Sequence, residues 1–120
     1  MSTLVTSNIS DGTTSVGTGY VVNGSAKAYA SASGSTGVIQ SFNVASFVDG
    51  GTGLQTINLT NSMVAQPVVA ASAEHTGGPY RASVVAAFTT VSAIGWTTNN
   101  TSGASVDISY STVTGQGNIA

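Results

Sequence analysis

The chain has 120 residues, the length of one domain, and 5% of them are charged, against about 25% in an ordinary soluble protein. Its net charge is −2 and its only cations are Lys27 and Arg81, too few to neutralise the phosphates of a nucleic acid, so nucleic-acid binding is excluded. With 41% hydrophobic residues, and polarity supplied by 18 Ser and 17 Thr, the composition predicts a folded chain.

Metal, signal and membrane features are missing from the sequence. Because there is no Cys and only one His, neither a disulfide nor a zinc site is expected, and we predict no cofactor. Residues 1–6 lack the basic segment and apolar run of a signal peptide, and no apolar stretch approaches the roughly 18 residues of a membrane span. We therefore expect synthesis in a cytoplasm and no membrane insertion.

The first residues differ in character from the rest. Residues 1–19 are polar, rich in Gly, Thr and Ser and poor in large apolar groups, which predicts an extended arm outside the core. Short strands are predicted over residues 4–9, before a turn at Asp11-Gly12, and over residues 20–22, before a turn at Asn23-Gly24. We place the boundary between this arm and the main domain after residue 19, so that the domain comprises residues 20–120.

The main domain is predicted to consist of a series of strands separated by turns. Lys27, Tyr29 and Ser31 alternate with alanines, which predicts one face of very small side chains that packs closely against another sheet or subunit. Further strands are predicted over residues 38–44, 54–60, 68–73, 82–90, 91–96 and 106–113. This pattern predicts an all-β fold, a sandwich or a barrel, and of these we favour an antiparallel β-sandwich of jelly-roll-like form.

Residues 41–63 form the clearest hairpin pattern. Phe42, Val44, Ile57 and Leu59 alternate with polar residues and are expected to face the core on either side of a glycine-rich joint at residues 50–53. Asp49 precedes that joint, where a carboxylate that binds nearby backbone amides favours a turn. Asp107 is expected in mid-strand, with its side chain in solvent or paired across a sheet or an interface.

Little in the chain can perform catalysis. His75 is the only imidazole, with Glu74 beside it and Arg81 nearby, and a hydrolase centred on Glu74 and His75 is a minor alternative. However, the chain has no Gly-x-Ser-x-Gly elbow, and residues 74–79 are typical of an exposed loop. The four acidic residues show no pairing of the kind that glycosidases need. We therefore expect that the protein is not an enzyme.

The second hypothesis for the function is a carbohydrate-binding adhesion module. Aromatic rings stack on sugar faces while amides and hydroxyls bond the sugar hydroxyls. Trp96, followed closely by Asn99 and Asn100, is the best candidate platform, with Tyr80 and His75 as the second. The competing interpretation, which we favour, is that Trp96 packs in the core, since Trp is highly buried on average.

Residues 41–63, "SFNVASFVDGGTGLQTINLTNSM", resemble a β module of bacteriophage tail-fibre and head-fibre (spike) proteins, which carry a segment much like "SFNVSSITDNGTGDYTVNFTTAM". The stretches "NGSAKAYASASGSTGVIQ" (23–40) and "TTNNTSGASVDISYSTVTG" (97–115) resemble the segments that flank it in the family. Residues 64–96 match least well, and the aromatic that usually follows the Met-Pro segment is missing. The start, "MSTLVTSNISDGTTSV", is similar to the short attachment segments of such fibres.

The resemblance implies a structural virion appendage of a phage or a phage-like gene transfer agent, made in the bacterial cytoplasm and displayed on the virion surface. It further implies a symmetric homo-oligomer that assists attachment to the host, with a homotrimer favoured and a pentamer as the alternative. The expected protein partners are other virion proteins, either at a capsid vertex or tail or in a further fibre protein. A host-surface glycan is a further expected partner. The residues expected to dock on the particle are Met1, Ser2, Thr3, Leu4 and Val5.

Overall fold

The computed structural model describes residues 2–33, 37–74 and 78–120, and this part of the chain is mostly β. The strands are β1 (Asn8–Ser10), β2 (Ser15–Gly17), β3 (Ala26–Ser33), β4 (Gly37–Phe42), β5 (Val44–Asp49), β6 (Leu54–Leu59), β7 (Val68–Glu74), β8 (Arg81–Val84), β9 (Ala93–Asn99) and β10 (Tyr110–Gln116). One α-helix, α1 (Thr18–Gly24), follows β2, and a 3₁₀ turn (Ala86–Phe88) follows β8.

The strands form two four-stranded sheets and one small hairpin, and every pairing is antiparallel. The first sheet has the order β4-β3-β10-β7 and the second has the order β5-β6-β9-β8, while β1 pairs only with β2. The all-β prediction is therefore confirmed. Antiparallel sheets of this kind bury one face and leave the other in water, which explains the alternating pattern of the sequence.

A single hydrophobic cluster joins buried residues of both sheets. The first sheet contributes the alanine face of β3 and Val113, and the second contributes Ile57, Leu59, Ile94 and Trp96. Ala28, Ala30 and Ala32 are at most 1% exposed, so the predicted face of small side chains is indeed buried. Their small volume leaves room for the Trp96 ring, because large and small residues alternate in a well-packed core.

Several predicted elements differ from those observed. Residues 20–22 lie in helix α1 and not in a strand, and β10 begins only at Tyr110, so residues 106–109 precede it. Asp107 is exposed as expected, but its carboxylate accepts a hydrogen bond from the Gly53 amide at 2.8 Å. The jelly-roll-like form of the fold stays a prediction: β3–β4, β5–β6 and β8–β9 each pair within one sheet, and the other successive strands from β3 to β10 change sheet.

The chain passes from one sheet to the other at Asn43, between β4 and β5. Asn43 has a φ of 57°, in the left-handed region, which asparagine tolerates better than most residues. Its Nδ2 donates to the carbonyls of Lys27 and Asn61, each at 3.0 Å, and its Oδ1 accepts from the Asn61 amide at 2.8 Å. As a result, Phe42 is 53% exposed on the first sheet, so its predicted place in the core is wrong.

Replacing Asn43 tests this corner directly. Asn43→Asp keeps the acceptor oxygen and the tolerance of positive φ but loses both donated hydrogen bonds, so we expect the free energy of unfolding to fall by about 1–2 kcal/mol. Urea denaturation measures the change. The matched control is Asn118→Asp at an exposed position, for which we expect a change within about 0.5 kcal/mol. Equal losses in both variants would attribute the effect to the added charge.

Candidate assembly surface and distal loops

Residues 8–24, here called the N-terminal unit, contain the β1–β2 hairpin and helix α1. The pairs Asn8↔Gly17, Ile9↔Val16 and Ser10↔Ser15 form the hairpin. In its loop, the Asp11 carboxylate accepts hydrogen bonds from the amides of Thr14 at 2.7 Å and Thr13 at 2.9 Å. These bonds, that to Thr14 first, lower the pKa of the fully exposed Asp11 carboxyl. The predicted turn at Asp11-Gly12 is thus present.

The N-terminal unit exposes an unusual amount of apolar surface. None of its residues is buried. Exposed fractions are 88% for Leu4 and 90% for Val5 before the hairpin, and 48% for Ile9, 40% for Val16, 79% for Tyr20, 40% for Val21 and 56% for Val22 within the unit. A lone two-stranded hairpin is marginally stable in water, and so is a helix much shorter than about 12 residues. The unit therefore lacks the buried surface that would stabilise it by itself.

Two side chains of the first sheet bind the end of helix α1. Lys27 on β3 donates from its Nζ to the Val22 carbonyl and to the Ser25 hydroxyl, and Gln116 on β10 donates from Nε2 to the Gly24 carbonyl at 3.1 Å. An ammonium group and an amide thus bind the carbonyls that a helix leaves unpaired at its C-terminal end. These contacts attach the N-terminal unit beside the paired ends of β3 and β10.

The opposite end of the strands carries the loops at residues 50–53 and 100–109. They meet through backbone bonds, since the Thr98 amide donates to the Gly53 carbonyl at 2.8 Å and the Val106 amide donates to the Thr98 carbonyl at 3.0 Å. Gly53 has a φ of 70°, and a Cβ there would lie 2.5 Å from the Thr98 carbonyl oxygen. Asp49 accepts from the Gly51 amide at 2.9 Å, which confirms its predicted turn role.

Of the described residues predicted to contact glycans, Trp96 is separated from the others by its burial, whereas Tyr80 directly precedes Arg81, which pairs with Asn99. Trp96 is fully buried, its Nε1 donates to the Ser111 hydroxyl at 3.1 Å, and its ring packs edge-to-face with that of Phe47, with the ring centroids 6.5 Å apart. The core interpretation of Trp96 is therefore confirmed, and its role as an exposed platform is wrong. Tyr80 is half-buried ahead of β8, and His75 lies outside the described residues.

Asn99 and Asn100 shape their own loop. The Asn100 Oδ1 accepts hydrogen bonds from the amides of Ser102 at 3.0 Å and Ala104 at 2.9 Å, and the Asn99 Nδ2 donates to the Gly103 carbonyl at 3.3 Å. Both residues are half-buried. Their amides thus serve the turn that leads towards β10, and any contact of theirs with a glycan stays a prediction.

The residues predicted to dock on a particle lie ahead of the hairpin. Residues 2–5 have an irregular backbone without strand pairing, and all four are exposed. Met1 lies outside the described residues. The apolar pair Leu4 and Val5 is the most exposed of the large hydrophobic side chains in the described part of the chain.

In the described part of the chain, the ionisable groups are dispersed. Glu74 ends β7 and Arg81 begins β8, while Asp49 and Asp107 bind backbone amides of the distal loops. Within residues 2–33, 37–74 and 78–120, no three His, Cys, Asp or Glu side chains cluster as metal ligands would. In the same ranges, no helix is long and apolar enough to cross a membrane.

One aromatic pair on the outer face of the first sheet cannot be recognised from the sequence. Tyr29 on β3 and Phe42 on β4 are direct cross-strand neighbours, and their rings stack with centroids 6.0 Å apart and planes 20° apart. The sequence alternation places Tyr29 opposite the alanine face but assigns Phe42 to the core. Only the register of β3 against β4 brings the two rings together.

No family model, curated protein or solved structure matches this chain.

Proposed function

We propose that the protein is a structural appendage, a head or tail fibre or spike, on the surface of a phage or phage-like particle, and not an enzyme. The apolar exposure of residues 4–22 carries this proposal. Large apolar side chains exposed close together on a small domain commonly mark a contact with another protein. The resemblance of residues 41–63 to phage fibre modules supplies the class of particle.

In this proposal the two sheets stack as a β-sandwich that projects from the particle, and the arm docks it. The shared core of both sheets supports the stacking. The arm, residues 1–19 with the docking residues 1–5, extends through helix α1 to the sheet that binds it. Its partners are virion proteins at a capsid vertex or tail, or a further fibre protein. The distal loops at residues 50–53 and 100–109 then lie at the end farthest from the particle.

We propose in addition that the protein is a symmetric homo-oligomer, a trimer in preference to a pentamer. Copies of the N-terminal unit would cover Tyr20, Val21 and Val22 against one another, which would supply the stability that a lone hairpin and short helix lack. Because Asp11 and Lys27 are the only charged residues in the first 27, like charges would not oppose the contact.

Light scattering after size exclusion tests the oligomer. At micromolar concentration we expect the full chain to have the mass of a trimer, and Tyr20→Ser/Val22→Ser to have a lower mass with an unchanged circular dichroism spectrum. The matched control is Val64→Ser, which alters a residue of similar exposure (66%) outside the N-terminal unit and should leave the mass unchanged. A folded wild-type monomer would contradict the proposal.

The location on a particle needs a separate experiment. Antibodies raised against residues 20–120 should label the surface of particles released by the bacterium that encodes the chain, as seen by immunogold electron microscopy. Gold on the particle surface at discrete sites is expected. If the antibodies labelled only proteins of the cell lysate and left the particles without gold, the proposed location on the particle would be wrong, whatever the oligomeric state.

A further inference from the structure

We propose that the outer face of the first sheet is a binding site for a neutral oligosaccharide. The face, here called the Tyr29 face, consists of two rows across the four strands. The rows are Phe42, Tyr29, Thr114 and Ala70, and Gln40, Ser31, Thr112 and Ser72. This site is distinct from the N-terminal unit, and the inference does not depend on the proposed assembly.

The first row supplies an aromatic platform. Phe42 is 53% exposed and Tyr29 is half-buried, and their stacked rings lie at one edge of the sheet. Next to them, Thr114 and Ala70 are exposed and too small to block access to the rings. The apolar faces of a sugar ring pack on aromatic rings of this kind, while the Tyr hydroxyl remains available for a hydrogen bond.

The second row supplies hydrogen-bonding groups at a regular spacing. The hydroxyls of Ser72 and Thr112 bond each other at 2.6 Å, and Ser31 and the Gln40 amide continue the row towards β4. Four neighbouring strands span about 14 Å, since adjacent strands lie about 4.8 Å apart. A row of this length can form hydrogen bonds with several hydroxyls of a short oligosaccharide while one of its sugar rings packs on the aromatic platform.

The charge of the face selects among candidate partners. Neither row contains Asp, Glu, Lys, Arg or His, and Glu74, which pairs with Tyr110, lies in the next row along β7. Lys27 lies beyond the other end, where helix α1 occupies its ammonium group. A polyanion would therefore meet no free positive charge on this face. An uncharged polymer, in contrast, could bind there without removing water from a charged side chain.

The hydroxyl content of the face also favours a sugar over a second copy of this chain. Burial of Ser31, Thr112 and Gln40 against protein would leave polar groups dehydrated unless each one found a partner. Sugars carry donors and acceptors on most ring carbons and can satisfy such a row, directly or through bridging water. The Tyr29 face thus combines an apolar platform with a few placed polar groups, as in other ligand sites.

Affinity gel electrophoresis of the full chain tests the proposal. Native gels would contain dextran, yeast mannan or galactomannan as neutral probes, and alginate or heparin as anionic probes. With its net charge of −2 the protein migrates towards the anode in each gel. We expect retardation by at least one neutral polysaccharide and by neither polyanion. Retardation by no neutral probe, or by the polyanions alone, would overturn the proposal.

Two variants locate the binding surface. For Tyr29→Ser/Phe42→Ser we expect the affinity for the retarding polysaccharide to fall about tenfold or more, while Tyr29→Phe keeps most of it. The matched control is Phe88→Ser, which removes a 46% exposed aromatic in the 3₁₀ turn, outside the first sheet, and should leave retardation unchanged. Unchanged retardation of the double variant would overturn the proposal.

Folding and oligomerisation are checked on the same samples. If the double variant loses its circular dichroism spectrum, Phe42→Ser alone replaces it, because Phe42 is the more exposed ring, and the same loss of affinity is required. If the double or single variant instead lowers the oligomer mass, the Tyr29 face is a contact between subunits and the proposal is wrong. A lower oligomer mass in Tyr20→Ser/Val22→Ser bears only on the proposed assembly and not on the proposed sugar site.

Discussion

Trp96→Ala is expected to lower the free energy of unfolding by about 3–5 kcal/mol, the usual cost of removing a large buried aromatic. Trp96 is fully buried in the same hydrophobic cluster as the alanine face of β3, and its ring packs edge-to-face with that of Phe47. The alanine side chains are too short to move into the space that the indole leaves, so the cavity would stay open. A domain of this size has only about 5–15 kcal/mol of stability, so much of it would be lost.

Urea denaturation followed by circular dichroism measures this effect, because the variant lacks the only Trp of the chain. Trp96→Phe is the matched control, since it keeps most of the ring volume and removes the hydrogen bond to the Ser111 hydroxyl. We expect it to cost clearly less than Trp96→Ala. In the wild type, Trp96 fluorescence should shift to longer wavelength on unfolding. Equal stability of Trp96→Ala and wild type would show that the indole is not in the core.

Gly95→Ala is expected to cost about 2–3 kcal/mol, although it adds one methyl group. Gly95 lies in β9, where a Cβ would come within 2.4 Å of the Phe88 Cβ and 3.2 Å of the Phe88 carbonyl oxygen. The Thr89 hydroxyl bonds both the amide and the carbonyl of Gly95, at 3.2 and 3.3 Å, which holds the 3₁₀ turn against the strand. The new methyl group would therefore push the two backbones apart.

Thermal or urea unfolding measures the loss. The control is Gly19→Ala in helix α1, where no atom beyond the neighbouring residues and the helix's own backbone lies within 4 Å of an added Cβ, and the substitution should be neutral or slightly stabilising. The double variant Phe88→Gly/Gly95→Ala removes the atom that clashes, so its loss should be smaller than the sum of the two single losses. Strict additivity would mean that the contact with Phe88 is not the cause.

Local sequence patterns were sufficient to predict the structure where one face of a strand is buried. The alternation of alanines in residues 28–32 predicted the buried face of β3, and Asp49 before the paired glycines predicted a turn that the Gly51 amide completes. The placement of Trp96 in the core followed from its size. In each case the deciding interaction lies within a few residues or depends on hydrophobicity alone.

The remaining features depend on contacts between distant parts of the chain. At Asn43 a single residue with positive φ carries the chain into the other sheet, so residues on either side stop sharing a face, and the alternation through Phe42 and Val44 was misleading. Residues 20–22 are β-branched or aromatic and favour a strand, yet the end of α1 is fixed by Lys27 and Gln116. Neither partner can be identified from local sequence.

The pairing of β3 with β10 also has a mechanical consequence. Because Ala26 pairs with Gln116, the chain enters and leaves this strand pair at the same end. Tension between those two points would open the ladder one pair at a time, as a zipper opens, and would meet little resistance. A domain held only through residues before β3, and pushed at its far loops by flow or collision, would not load the ladder in that weak direction.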